Sequence, residues 1–123
     1  MKYSILVIDD EKVICDSVSK ALIGAGYDAT TATNLLEAVE KIQSTKFDLI
    51  ISDVMIPHIG GLELVDKMKA DPKYSAIPII LMTGMDRDIL GATVISADAV
   101  ITKPFTSQQL LEQVKNQLAV LSK

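Results

Sequence analysis

Residues Leu6–Lys12 read LVIDDEK. Three branched aliphatic side chains give way at once to two adjacent carboxylates, Asp9 and Asp10. The aliphatic run reaches back to Ile5, and ILVI does not alternate with polar residues. A strand with one face in water would alternate, so a run that is apolar throughout is buried on both faces, as in a parallel sheet. The same form recurs at Leu49–Ile51 (LII), Ile79–Met82 (IILM) and Ala99–Ile101 (AVI). A more polar run, Tyr27–Thr31 (YDATT), suits an edge strand.

Stretches of helical spacing separate these runs. Ile14, Val18, Ala21, Leu22 and Ala25 form one apolar stripe, as do Leu35, Val39 and Ile42, and Leu110, Leu111, Val114, Leu118 and Leu121. Gly24 and Gly26 mark the end of the first helix, and Asn34 suits the cap of the second. Leu62, Val65 and Met68 make a further stripe, stopped by the Asp71-Pro72 turn. Met85–Ala97 is the poorest helix former, with Gly91 and the β-branched run Thr93-Val94-Ile95. A helix is still expected there, because a parallel strand must be followed by a crossover. Five strands alternating with five helices predict an α/β fold, a parallel sheet covered on both faces.

The chain has 123 residues, which fits one domain over residues 1–123 with no linker or repeat. Hydrophobic residues make up 49% and aromatics only 4%, so the core is aliphatic, with the five Met as filler. A net charge of -4 with interleaved signs argues against a nucleic-acid or anionic-membrane surface. No apolar run approaches the roughly 20 residues of a membrane span, and no signal peptide follows Met1-Lys2. The single Cys15 has no internal disulfide partner and is expected to be a half-buried helix residue. The expected location is cytoplasmic.

In such sheets ligands bind beyond the carboxyl ends of the strands. The first strand run ends at Asp9 and Asp10, the third at Ser52-Asp53, the fourth at Thr83-Gly84 and the fifth at Thr102-Lys103-Pro104. Three carboxylates, a hydroxyl and an ammonium therefore meet at one edge. Three carboxylates at one mouth repel, and a hard divalent cation relieves the repulsion. Mg²⁺ takes oxygen ligands, keeps several waters and needs only one or two protein carboxylates, which suits binding together with a phosphate. Taken singly each residue has an ordinary reading: Asp9-Asp10 as a helix cap, Asp53 and Thr83 as turn residues, Lys103 as solvated. Their joint position at the correct strand ends favours a site. No GxxxxGK[ST] or GxGxxG loop is present, and no Cys/His cluster. The single His58 reads as a surface loop residue.

Together LVIDDE, DLIISDVMIP, IPIILMTG and ITKPF make the whole chain resemble a two-component response-regulator receiver domain. The resemblance implies the flavodoxin-like (βα)5 fold with strand order 2-1-3-4-5, of which a chemotaxis member of this family is an established instance. It implies that Asp53 accepts a phosphoryl group from a phosphohistidine on a sensor histidine kinase or histidine phosphotransfer protein. Asp10, Asp53 and the backbone carbonyl of Met55 would hold Mg²⁺, with Asp9 acting through a metal-bound water. Thr83 would hydrogen-bond the phosphoryl group. Lys103 would pair with Asp53 at rest and with a phosphoryl oxygen afterwards, and the Lys103-Pro104 peptide would be cis. Phosphoryl transfer asks mainly for positioning and charge neutralisation, and a carboxylate is a competent acceptor.

The sequence departs from the family pattern at several positions. Val100 stands where members often carry Tyr or Phe, so the aromatic part of the family's switch is missing. Gly84 and a short Thr83–Lys103 interval predict a short or irregular fourth helix that orders on partner binding. Met55 and Met85 occupy positions that influence hydrolysis, and neither thioether orients a water, so a long-lived aspartyl phosphate is expected. Gly60 replaces an Asp common before Gly61 and carries no functional reading. With only Leu121-Ser122-Lys123 after the fifth helix, output would pass through another protein or onward phosphotransfer, from a monomer or a weak phosphorylation-dependent dimer. Two alternatives are a receiver-like interaction module that is never phosphorylated, and a Mg²⁺-dependent phosphatase with an aspartyl nucleophile. The second lacks its DxD motif and a cap segment. As a switch, the protein would not be an enzyme beyond its own phosphorylation and dephosphorylation.

Overall fold

A computed structural model describes residues 2–53, 67–84 and 98–121. Its strands are β1 (Ser4–Ile8), β2 (Asp28–Ala32), β3 (Leu49–Asp53), β4 (Ile79–Thr83) and β5 (Ala99–Thr102). They form one parallel sheet in the order β2-β1-β3-β4-β5. Helices α1 (Lys12–Gly24) and α2 (Leu35–Ser44) and a C-terminal helix (Ser107–Leu121) are described, and residues 67–70 are also helical. The strand order is the one the resemblance implies, and the polar run at β2 is an edge, as read. The stripe residues Leu62 and Val65 and the segment Met85–Ala97 lie outside the described residues. Among the described residues no helix is long and apolar enough to cross a membrane.

Alternate residues of each apolar run face opposite layers, which is why the runs are continuous. Leu6, Ile8, Ile50 and Leu81 pack with Ala38 and Ile42 of α2 on one face. Ile5, Val7, Ile51 and Met82 pack with α1 and with Leu110, Val114 and Leu118 of the C-terminal helix on the other.

The α1 stripe differs in phase from the sequence reading. Its buried residues are Cys15, Val18 and Leu22, whereas Ile14 and Ala21 are half-buried and Ala25 is exposed. The small thiol of Cys15 lets the helix turn that edge fully against the sheet. Cys15 is therefore buried outright, not half-buried. Helix α1 stops where Gly26 takes φ +96, a conformation that favours glycine. At the start of α2, Asn34 Oδ1 accepts the Glu37 N–H at 2.8 Å, and Glu37 Oε1 accepts the Thr33 N–H at 3.1 Å. This reciprocal arrangement satisfies one amide that the helix leaves without a partner, that of Glu37, and the Thr33 amide just before the cap.

At the amino-terminal edge of the sheet, two aspartates each clasp a neighbouring strand. Asp48 donates its N–H to the Ser4 carbonyl at 2.8 Å, and its Oδ2 accepts the Ser4 N–H at 2.8 Å. Asp98 repeats the pattern with Ile79, at 3.0 and 2.7 Å. Lys69 adds an ion pair to Asp98 Oδ2 at 2.8 Å and donates to the Ile77 carbonyl. These bonds set the register that aligns the strands' other ends, where Ile8 pairs with Ser52, Asp53 with Met82 and Thr83 with Thr102.

Candidate phosphoacceptor and metal site

Register alone brings the strand-end residues together. Asp9 follows β1 and its N–H donates to the Ala32 carbonyl at 3.1 Å, so the backbone is fixed on the β2 side. Asp53 is the last residue of β3 and Thr83 the last of β4. Lys103 follows β5, and its N–H donates to the Thr83 carbonyl at 2.7 Å. Buried polar residues gather nowhere else in the described core: Asp9, Ser52, Asp53 and Thr83 make up that set.

Asp9, Asp10 and Asp53 each offer a carboxylate oxygen within 4.8 Å of the others. Asp9 is fully buried, Asp53 is 7% exposed, and Asp10 faces water. The ammonium of Lys103 lies 2.8 Å from Asp9 Oδ2 and 3.6 Å from Asp53 Oδ1. Its shorter contact is thus with Asp9. The other oxygen of Asp9 accepts the Glu11 N–H at 2.9 Å. Burial by itself would lower the pKa of Lys103, but the hydrogen bond to Asp9 and the charge of Asp53 outweigh it, and the net shift is upward.

Among the described residues, three carboxylates meet one ammonium, and Asp10 is the exposed member of the acidic cluster. Hard oxygen donors, an exposed member and an excess of carboxylates fit a small divalent cation, and Mg²⁺ suits them. Both oxygens of Asp9 already accept a hydrogen bond, from the Glu11 N–H and the Lys103 ammonium, and of the three carboxylates Asp10 is the exposed one.

Of the remaining expected site residues, Val100 is half-buried and packs against the α2-side core, paired with Leu81 of β4. The Lys103-Pro104 peptide is cis, and Pro104 lines a recess of about 300 Å³ with Ile14, Ser17 and Phe105. Met55, Met85, His58 and Gly60 lie outside the described residues.

The sequence reading missed two supports of the site. Cys15 Sγ donates to the Asp9 carbonyl at 3.3 Å, and burial, together with the charge of Asp9, pushes this thiol's pKa up. It is a neutral prop beneath the acidic cluster. Ser52 Oγ donates to the Asp53 carbonyl at 3.1 Å. The spacing of Cys15, Val18 and Leu22 (three, then four) was the available signal for the first. For the second there was only a hydroxyl at an otherwise apolar strand end.

Comparison with known proteins places this geometry. Residues 5–115 match the model of the response regulator receiver domain. The phosphate regulon transcriptional regulatory protein PhoB of Pseudomonas aeruginosa is 39% identical over 115 residues, covering 91% of this chain and 50% of that protein. The chain spans about half the length of the curated relatives it matches. Among solved structures, chemotaxis response regulator CheY4 of Vibrio cholerae superposes with a TM-score of 0.89 at 31% identity, covering 95% of this chain and 99% of that one. Response regulator TrrA of Thermotoga maritima, solved in complex with Mg(2+)-BeF, gives 0.85 at 35% identity, covering 95% and 99%. Strand order, strand-end carboxylates and sequence thus agree over nearly the whole length, and the chain belongs to the response regulator receiver domain family.

Proposed function

We propose that the chain is a phosphorylation-controlled switch of a two-component phosphorelay, with residues 1–123 acting as one receiver unit and Asp53 as phosphoacceptor. The observation that carries this reading is the excess of carboxylates at the strand ends: among the described residues, three within 4.8 Å facing one ammonium. TrrA, a relative at 35% identity, was solved with Mg(2+)-BeF, and the oxygen donors here suit the same cation.

In this reading an oxygen of Asp53 attacks the phosphorus of a phosphohistidine in line, and the imidazole leaves as the aspartyl phosphate forms. Bound Mg²⁺ would supply charge neutralisation for the attacking carboxylate and the transferred group. Asp10, Asp53 and the Met55 carbonyl would hold it, and Asp9, already committed to Lys103 and Glu11, would act through water. Lys103 has two partners within ion-pair distance, so its ammonium needs only a small swing to leave Asp53 and follow a phosphoryl oxygen. Thr83, fixed at the end of β4, would donate its hydroxyl to another oxygen. Val100 offers no ring to follow that movement, so the signal would travel through Thr83 and the backbone beyond β4. Met55 and Met85 offer no group that orients an attacking water, which favours a persistent phosphoryl group.

A sensor histidine kinase or histidine phosphotransfer protein is the proposed donor, another protein the proposed target, and the cytoplasm the proposed setting, without nucleic acid or membrane as partner. Turnover would be confined to the protein's own phosphorylation and dephosphorylation. Intact-mass measurement after incubation with acetyl phosphate tests the reading. A single phosphoryl adduct is expected on the wild type with Mg²⁺, and none without Mg²⁺ or on Asp53→Ala. An adduct that persists on Asp53→Ala, or none on the folded wild type from acetyl phosphate or a cognate kinase, overturns it.

A further inference from the structure

At the edge of the sheet opposite the carboxylates, residues 42–48 and 73–77 enclose a cavity of about 460 Å³. That is within the range of small-molecule sites, roughly 300–1,000 Å³. Its wall is chiefly apolar, with Ile42, Phe47, Ile50, Tyr74 and Ile77. Phe47 and Ile50 are core residues, 3% and 0% exposed, so the floor is a fixed part of the fold.

The charged groups at this cavity are two lysines and one aspartate. Lys46 and Lys73 are exposed lining residues, and the Lys73 ammonium stands 5.4 Å from the centroid of the Tyr74 ring. The ion pairs among the described residues involve Lys2, Lys41, Lys69 and Lys103 and neither of these lysines. The carboxylate in the lining, Asp48, is committed to the Ser4 N–H at 2.8 Å. An apolar concavity with two exposed ammonium groups against one amide-bonded carboxylate is net positive and complementary to an apolar body carrying an anionic end.

We propose that this cavity binds an amphipathic organic anion: a small molecule whose aliphatic or aromatic body rests on Phe47, Ile50 and Ile77 while its carboxylate or sulfonate meets Lys46 and Lys73. The site lies at the other ends of the strands from Asp53, and it stands whether or not Asp53 is phosphorylated.

Two probes test it on the full chain, decanoate and 1-anilinonaphthalene-8-sulfonate, titrated by calorimetry and by amide chemical shifts. At least one probe is expected to saturate at one molecule per chain, with shifts centred on residues 42–48 and 73–77. Affinity should fall at least tenfold in the Lys46→Gln/Lys73→Gln double variant, both positions being exposed, and decanol should bind at least tenfold more weakly than decanoate. Ala76→Trp, at an exposed lining position, should block binding while leaving the circular dichroism and the Asp53 adduct unchanged. Failure of both probes to saturate, binding that ignores the lysine substitutions, or shifts centred elsewhere overturns the proposal. So does concentration-dependent movement of the same amides without ligand, which would assign the surface to a second copy of the chain.

Discussion

The two edges of the sheet use the same side chain in opposite ways. At the amino-terminal edge, Asp48 and Asp98 stand apart, and each carboxylate receives the N–H of a neighbouring strand's first or adjacent residue. Lys69 further neutralises Asp98. At the carboxyl-terminal edge, Asp9, Asp10 and Asp53 crowd within 4.8 Å, and Lys103 serves both Asp9 and Asp53. The first set is satisfied by the protein itself and holds the fold. The second, counted over the described residues, carries more carboxylates than ammonium groups, an arrangement suited to a cation from outside. A functional carboxylate is marked here by the imbalance around it.

Substitutions that remove charge should therefore act differently at the two edges. The largest effect is expected for Lys103→Met without metal. It strands the buried Asp9 carboxylate and should cost about 3 kcal/mol, because breaking a buried pair leaves an uncompensated charge. Urea unfolding with EDTA and with Mg²⁺ measures this, and Mg²⁺ should recover part of the loss. A loss indifferent to Mg²⁺ would break the distinction between the edges. Asp98→Ala comes next, at about 2 kcal/mol, since the nearly buried Ile79 N–H loses its acceptor and Lys69 its partner. That loss should be the same with or without Mg²⁺.

Asp10→Asn should reverse the sign. Its exposed carboxylate only adds repulsion in metal-free protein, so the urea midpoint in EDTA should rise slightly while the stabilisation by Mg²⁺ falls. A lowered midpoint in EDTA would place Asp10 among the structural aspartates. The smallest effect concerns alkaline pH. The folded state raises the pKa of both Cys15 and Lys103, so each contributes stability that is complete below its unfolded pKa and fades as pH rises toward the folded value. For the thiol this loss begins near pH 9.0, and for the ammonium near pH 10.5. In EDTA the midpoint should decline across that window, and Cys15→Ala should remove the part that begins at the lower pH.

The layers of this fold were legible because β1, β3 and β4 are buried on both faces and so read as unbroken aliphatic runs. The site's membership followed from the residues just past those runs, since parallel strands deliver their carboxyl ends to one place. Which oxygen Lys103 prefers was not legible. Asp9 and Asp53 differ by 0.8 Å in their distance from its ammonium (3.6 against 2.8 Å), a matter of side-chain placement that no spacing rule encodes. The phase of α1 was misread because Cys15 does not announce itself as a core residue, while Ile14 beside it does. The clasps by Asp48 and Asp98 escaped notice because an aspartate before a strand looks the same whether it meets water or an amide.

The pairing of Lys103 with Asp9 spans 94 positions of the chain. During synthesis from the amino terminus, Asp9, Asp10 and Asp53 are all made before the ribosome reaches the residue that tempers them. A nascent chain halted ahead of β5 holds the acidic cluster without its ammonium, and contacts between such distant residues are slow to form. The ammonium that pairs with Asp9 and Asp53 is thus supplied only once β5 has been made.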